Sequence, residues 1–465
     1  KVQDELFQLA HEVMGPQLKR SPPLSTKQQS VNRNFISKHL GKKCKRYLRK
    51  HVNTMQRAIR KGVFAGCADT VIHNGEVIFR HCFGHADLEH ATRFNHDSIC
   101  RIYCSTKPYT LFVAKMLEEE GLLNPESAVS DYIPAMRKMR MQRDGAKALT
   151  FAKRTMRIKH LMTHTAGFSY QADFGFPPDD TQKRYRGIVA GIEQGRIKSL
   201  AEWVNKLAKV PLCFEPGERY EYGHSIDVLG RILEIVTKKD LATLMQIKLF
   251  GPLNMKDTVF FVSNDKLARL SAIYGATETW KNLYGSNSRK RPTTSKRGLI
   301  RIDGDRANQS AWAQRARVKI LSGGGFLGNN RGGVVSTARD TEAFVRMLLA
   351  NGRTPSGQQL LSRKMISAME RNQLVGSWRK DKDTRWCLLG DISLDGAGSP
   401  YYQQGGAAGN YWLVDRKRNL GVVFFAQQVD GEDWDKLGLD EQYADIDKVA
   451  RSVVDAMPSV KRRRT

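Results

Sequence analysis

No stretch of the 465-residue sequence holds eighteen or more consecutive apolar residues, so nothing in it reads as a membrane-spanning helix. The longest apolar run, 420–426, has the length and Val/Phe content of a buried strand. Metal-ligand spacing is missing as well. The seven cysteines (Cys44, Cys67, Cys82, Cys100, Cys104, Cys213 and Cys387) are odd in number and irregularly placed, and no pair stands at the short separation of a zinc site. A chain this long can bury a core without disulfide staples, so the cysteines read as free thiols and point to a reducing, intracellular compartment. Neither a metal nor another cofactor is expected. Acidic residues are also scarce: 47 Asp and Glu stand against 76 Lys and Arg, a net charge of +29. With 40% hydrophobic residues the chain is still folded rather than a disordered polycation.

The positive charge is localised. Residues 1–62 carry fifteen basic and three acidic side chains, 131–159 nine and two, and 289–319 ten and two, while 461–464 is wholly basic. Those four segments account for the entire excess and leave a nearly neutral body. Segmental basicity of this kind is the footprint of a polyanion such as RNA or an anionic surface; its plainer alternative is a set of solvated, solubilising tails.

Turn signals and periodicity divide the chain. Residues 1–50, with Pro22-Pro23, a Ser/Gln stretch and a charge run, read as a basic N-terminal extension. The main domain covers 51–457, and 458–465 is a basic tail. Within the domain a helix is expected over 47–60, then strands 67–73 and 77–82 joined by Asn74-Gly75, a strong hairpin signal. Helical patterns follow at 104–121, 200–208, 225–237, 241–250, 340–350 and 363–371, with strands at 407–414 and 420–427 and a last helix at 446–457. A polar, basic stretch at about 280–319 reads as a surface insertion. The layout is α+β: the terminal parts share one antiparallel sheet flanked by terminal helices, and a mainly helical region, about 108–340, is inserted between them.

One tetrapeptide carries chemistry. In Cys104-Ser105-Thr106-Lys107, at the start of a helix, residues i and i+3 share a face, so the thiol and the amino group are neighbours. Unpaired N–H groups at the helix start and a nearby ammonium both favour thiolate. Ser105 points elsewhere and is a poor replacement nucleophile. His164 reads as a residue that orients its Thr-flanked turn. His224 reads as a polar residue lining the cleft or, less simply, a base near Cys104. Gly323 to Gly325 lack the lysine of a phosphate loop and read as structural.

The surroundings of the tetrapeptide add a resemblance. Arg101-Ile102-Tyr103-Cys104-Ser105-Thr106-Lys107-Pro108 resembles the S-x-x-K block of the class C β-lactamases and family VIII carboxylesterases, within the serine β-lactamase and penicillin-binding protein superfamily. Further blocks follow in that family's order. They are Leu161-Met162-Thr163-His164-Thr165-Ala166-Gly167-Phe168, Tyr220-Glu221-Tyr222, Asp227-Val228-Leu229-Gly230, Pro252-Leu253-Asn254-Met255, Gly332-Gly333-Val334-Val335-Ser336-Thr337 and Gly405-Gly406-Ala407-Ala408-Gly409. The resemblance implies a β-lactamase/transpeptidase-like fold over roughly 50–457. By position it implies Cys104 as nucleophile, Lys107 as general base, Tyr222 as proton-transfer partner, and an oxyanion hole from the backbone N–H groups of Cys104 and Ala407. The cleft strand falls on Gln404, Gly405 and Gly406.

Three departures leave the activity open. Cysteine replaces the family serine at 104, His224 stands for the Asn of Y-x-N, and Gln404 replaces a Lys or Trp. Lack of a cation at 404 argues against binding a β-lactam carboxylate. Sulfur is larger than oxygen, and misplacing one oxyanion donor costs about 3–4 kcal/mol. Two expectations follow. In the first the chain is a non-catalytic or weakly active scaffold whose basic segments (1–62, 131–159, 289–319 and 461–464) bind RNA, in one form within an organellar ribonucleoprotein such as a mitochondrial ribosome. In the second it is a cysteine-nucleophile acyl hydrolase working through a thioester.

Overall fold

The computed structural model describes residues 34–142, 148–170, 195–275, 299–303, 321–325, 332–374, 385–429 and 439–457, together with Gly376 and parts of 185–192. Much of the expected basic insertion, the basic tail and residues 1–33 lie outside these residues.

The chain joins the main sheet earlier than expected. β1 (Phe35–Ile36) pairs with a later strand, and the first helix, α1, spans Lys42–Lys61. The boundary expected at residue 50 therefore falls inside a helix. The charge run of 42–50 hides its apolar stripe, because only Cys44 and Leu48 mark the buried face there; His51, Met55, Ala58 and Ile59 continue it. Gly62, left-handed at φ 78°, closes the helix and caps it with its N–H. β2 (Gly66–His73) and β3 (Glu76–Asp87) form the expected hairpin, with Asn74 and Gly75 both at positive φ as a tight primed turn requires.

The chain then leaves the sheet through a single 3₁₀ turn, Tyr103–Thr106, into α2 (Lys107–Glu119), which is buried from Lys107 to Leu117. In the helical region, α3 (Ser225–Thr237) lies beside α2 and α4 (Ala338–Leu349) packs on the sheet. The stretch expected as one helix over 241–250 is α-helical only to Met245 and continues as a π turn, Gln246–Phe250.

The C-terminal part returns to the sheet as β4 (Trp386–Cys387), β5 (Gly390–Leu394), β6 (Pro400–Gly406), β7 (Asn410–Asp415) and β8 (Leu420–Ala426). The order across the sheet is β1-β3-β2-β8-β7-β6-β5-β4, antiparallel throughout, so β8 beside β2 joins the two ends of the chain. The strand expected over 407–414 begins only at Asn410, because Ala407 to Gly409 turn the chain, with Gly409 at φ 73°. The last helix, α5 (Leu439–Asp455), packs against α1.

Both faces of the sheet are covered. Alternate residues Leu413, Val422 and Phe424 join the core under α1 and α5, whereas Trp412, Val414, Val423 and Phe425 join the core under the helical region. That two-sided burial explains why 420–426 is apolar without alternation. His51 fixes α1 to this layer. Its Nε2 meets Asp69 of β2 at 2.6 Å and its Nδ1 meets Asp445 of α5 at 2.7 Å. The expected fold class stands: one antiparallel sheet with terminal helices on one face and an inserted helical region on the other.

Candidate active site

Cys104 stands on the 3₁₀ turn at the head of α2 and is partly exposed, whereas Ser105, Thr106 and Lys107 around it are buried. Tyr103 before it holds a left-handed backbone at φ 44°, a conformation that costs a non-glycine residue on the order of 1–2 kcal/mol. Two hydrogen bonds and two close backbone approaches hold the turn in place. Ser105 Oγ donates to Asn410 Oδ1 at 3.0 Å, and Asn410 Nδ2 donates to the Arg101 carbonyl at 3.1 Å. A β carbon on Gly325, itself at φ 77°, would overlap the Tyr103 carbonyl, and one on Gly406 would overlap that of Ile102. These two glycines let a loop and the end of β6 approach the turn at backbone distance. Ala407, next in the chain, packs on the small apolar cluster that contains Tyr103.

Lys107 is completely buried. Its Nζ donates to the Gly324 carbonyl at 2.6 Å and lies over the rings of Tyr222, 4.4 Å from the centroid, and Tyr170, 5.7 Å. Gly324 is held in turn by Asp227 of α3, whose Oδ1 accepts the Gly324 N–H at 2.9 Å and the Ser322 hydroxyl at 2.6 Å. A carboxyl, a glycine carbonyl and an amino group thus form one chain of buried polar contacts behind Cys104.

Tyr222 stands over Lys107, its ring centroid 4.4 Å from Nζ, and the Cys104 sulfur is among the groups that act on its phenol. Burial first, then the Cys104 sulfur and neighbouring tyrosines, push its phenol well above the ordinary range. It therefore stays protonated at neutral pH. His164 stacks on Tyr222 at 4.8 Å between centroids and 28° between planes, and its Nδ1 accepts the Gly223 N–H at 3.4 Å. Burial and then the Lys107 charge hold this imidazole well below its usual value, so it is neutral packing behind the tyrosine. Trp386 of β4 closes the cluster against Tyr222 and His164.

A family model described as Beta-lactamase matches residues 51–443. The chain belongs to the β-lactamase family. Among family relatives, it is 27% identical over 391 residues to Protein Rv1367c of Mycobacterium tuberculosis, covering 79% of this chain and 86% of that one. It is 26% identical over 373 residues to Esterase EstB of Burkholderia gladioli, with the same coverage. Two solved structures share the fold. EstCE1, described as a hydrolase with promiscuous acyltransferase activity, is 21% identical with a TM-score of 0.64 and covers 88% of this chain and 99% of its own. Simvastatin synthase LovD of Aspergillus terreus is 19% identical with a TM-score of 0.66, covering 86% and 97%. The expected β-lactamase-family fold is thereby established.

Cys104, Lys107 and Tyr222 come together, and Gly405, Gly406 and Ala407 lie at the end of β6 that meets their turn. His224 does not line an open cleft. It is fully buried, with Nδ1 3.3 Å from Asp227 and its ring against Trp203 and Tyr170, and no hydrogen bond among the described residues joins it to Cys104. Gln404 is also buried, its amide nitrogen donating to the Gly405 carbonyl at 2.8 Å. Sequence reasoning missed Gly324, Asp227, Tyr170 and Asn410. A carboxyl within the Asp227-Val228-Leu229-Gly230 block and the Gly323 to Gly325 triplet were visible signals, but nothing along the chain ties either to Lys107. Among the described residues no cluster of side chains suits a metal ion, and no helix is long and apolar enough to cross a membrane.

Proposed function

We propose that the chain is an acyl-transfer enzyme in which the Cys104 sulfur takes an acyl group from an ester or thioester and passes it to water or another acceptor. The observation that carries this reading is the convergence of a partly exposed thiol with a buried amino group and a protonated phenol. Burying Lys107 is costly to a fold, and among the described residues no carboxylate pairs with it. A site retired to scaffolding has no reason to keep it.

In the proposed reaction the sulfur attacks the carbonyl carbon, and the thiol proton passes by way of Tyr222 to the departing alcohol as the C–O bond breaks. The product of this half-reaction is a thioester on Cys104. The tetrahedral intermediate's negative oxygen is stabilised by the backbone N–H groups of Cys104 and Ala407. Water or an acceptor alcohol then attacks the thioester and returns a proton to sulfur. Lys107, fixed by Gly324 and the two tyrosine rings, holds positive charge beside the reacting atoms. Buried, uncharged Gln404 suits a substrate without a carboxylate at that end of the cleft. The relatives' descriptions as an esterase and a hydrolase with acyltransferase activity support the reaction class.

Intact-mass measurement after incubation with a short-chain activated ester tests the proposal. One acyl adduct is expected, absent from Cys104→Ala and retained by Ser105→Ala. No adduct in protein shown to be folded by its melting transition, with several acyl groups tried, would return the chain to the scaffold reading.

A further inference from the structure

We propose that the outward face of α1 is a docking surface for the phosphate backbone of a polynucleotide. This rests on surface charge and is independent of acyl transfer at Cys104. The helix holds nine Lys and Arg and no Asp or Glu in its twenty residues. Lys42, Arg46, Arg49, Lys50, Arg57 and Lys61 recur at helical spacing opposite the buried stripe, and all are exposed. They make a positive ridge about 30 Å long at 1.5 Å per residue.

Several half-buried arginines elsewhere in the protein are matched by carboxylates. Arg339 pairs with Asp97, Arg416 with Glu370, and Arg418 with Asp395, Asp415 and Asp455. Among the described residues, no ion pair involves a Lys or Arg of α1. Lys42 and Lys43 also occupy its first turn, where unpaired N–H groups already concentrate positive charge, and no acidic side chain offsets them. An arrangement that works against the helix itself is relieved by a multivalent anion.

The anion's source is narrowed by the other face of the helix. Leu48, Met55, Ala58 and Ile59 are buried against the sheet and α5, so α1 has no apolar side to insert into a bilayer. A linear polyphosphate that runs along the ridge fits better than a lipid surface.

The test uses the full chain and a fluorescein-labelled 20-nucleotide oligouridylate, with binding followed by anisotropy between 50 and 300 mM salt. Lys42→Gln/Arg46→Gln/Arg49→Gln/Lys50→Gln should flatten the slope of log K against log salt by about 3, at about 0.7 per single-strand phosphate released. A charge-matched control, Lys206→Gln/Lys209→Gln/Arg363→Gln/Lys364→Gln, should leave the slope nearly unchanged. Melting temperatures confirm folding, and Arg46→Lys/Arg49→Lys should keep the wild-type slope. An unchanged slope in the first variant, or an equal loss in the control, overturns the proposal. So does tighter α1-dependent binding to phosphatidylserine vesicles than to the oligonucleotide.

Discussion

Replacing Asp227 by alanine should destabilise the protein by about 3–5 kcal/mol, and the size follows from what its carboxyl group holds. One oxygen accepts the Ser322 hydroxyl at 2.6 Å and the Gly324 N–H at 2.9 Å; the other faces His224 Nδ1 at 3.3 Å. Each strong bond to a carboxylate contributes about 1.5–3 kcal/mol, and the Gly324 N–H would be left buried without an acceptor. Asp227→Asn keeps the shape and both acceptances at one oxygen, so its cost should fall to about 1–2 kcal/mol. Urea unfolding of the wild type and both variants measures these values. The same variants should slow acylation of Cys104, the asparagine by roughly tenfold, because Gly324 is the carbonyl that positions Lys107. An alanine variant within 1 kcal/mol of wild type would refute the reasoning, since it would show the contact chain behind the lysine to be energetically idle.

His51 gives a pH prediction. Burial disfavours its charge, but hydrogen bonds to Asp445 and Asp69 overcome that and raise its pKa from 6.5 to about 9. The folded value lies above the unfolded one, so the stabilisation is complete below about 6.5 and is lost as pH rises through 9, by roughly 3 kcal/mol in all. His51→Gln should be less stable at pH 6 and lose this dependence between pH 7 and 9.5; parallel stability curves for the two proteins would contradict it. Iodoacetamide at pH 8 should add one equivalent to folded protein, at Cys104. Cys82 is the other partly exposed thiol, but burial pushes its pKa far up and its sulfur lies 2.9 Å from His96 Nδ1. Labelling of Cys82 at a comparable rate in a peptide map would count against this. Gly325→Ala and Gly406→Ala should each lower stability by about 3 kcal/mol and reduce Cys104 labelling, because the added β carbon meets a backbone carbonyl of the turn. Normal melting and labelling in both would show that the turn is not held by those approaches.

The sequence by itself determined the α+β layout, the buried strand at 420–426, the hairpin and the placing of Cys104 and Lys107 on one turn. Apolar runs without alternation, Asn74-Gly75 and an i, i+3 spacing are local signals, and local backbone geometry obeys them. Its family blocks also placed Tyr222 and the Gly405-Gly406 strand. Three features were settled only by tertiary structure. The helix α1 reaches back to Lys42 because two apolar residues, Cys44 and Leu48, find a core that a charge run conceals. His224, the residue two past Tyr222, turns away into an aromatic cage since Asp227, one turn later, bonds it there. Lys107 owes its position to Gly324, 217 residues further along the chain. Contacts at such separation leave no periodicity in either partner; they exist because two backbones come close enough for a carbonyl to replace water around a buried amino group.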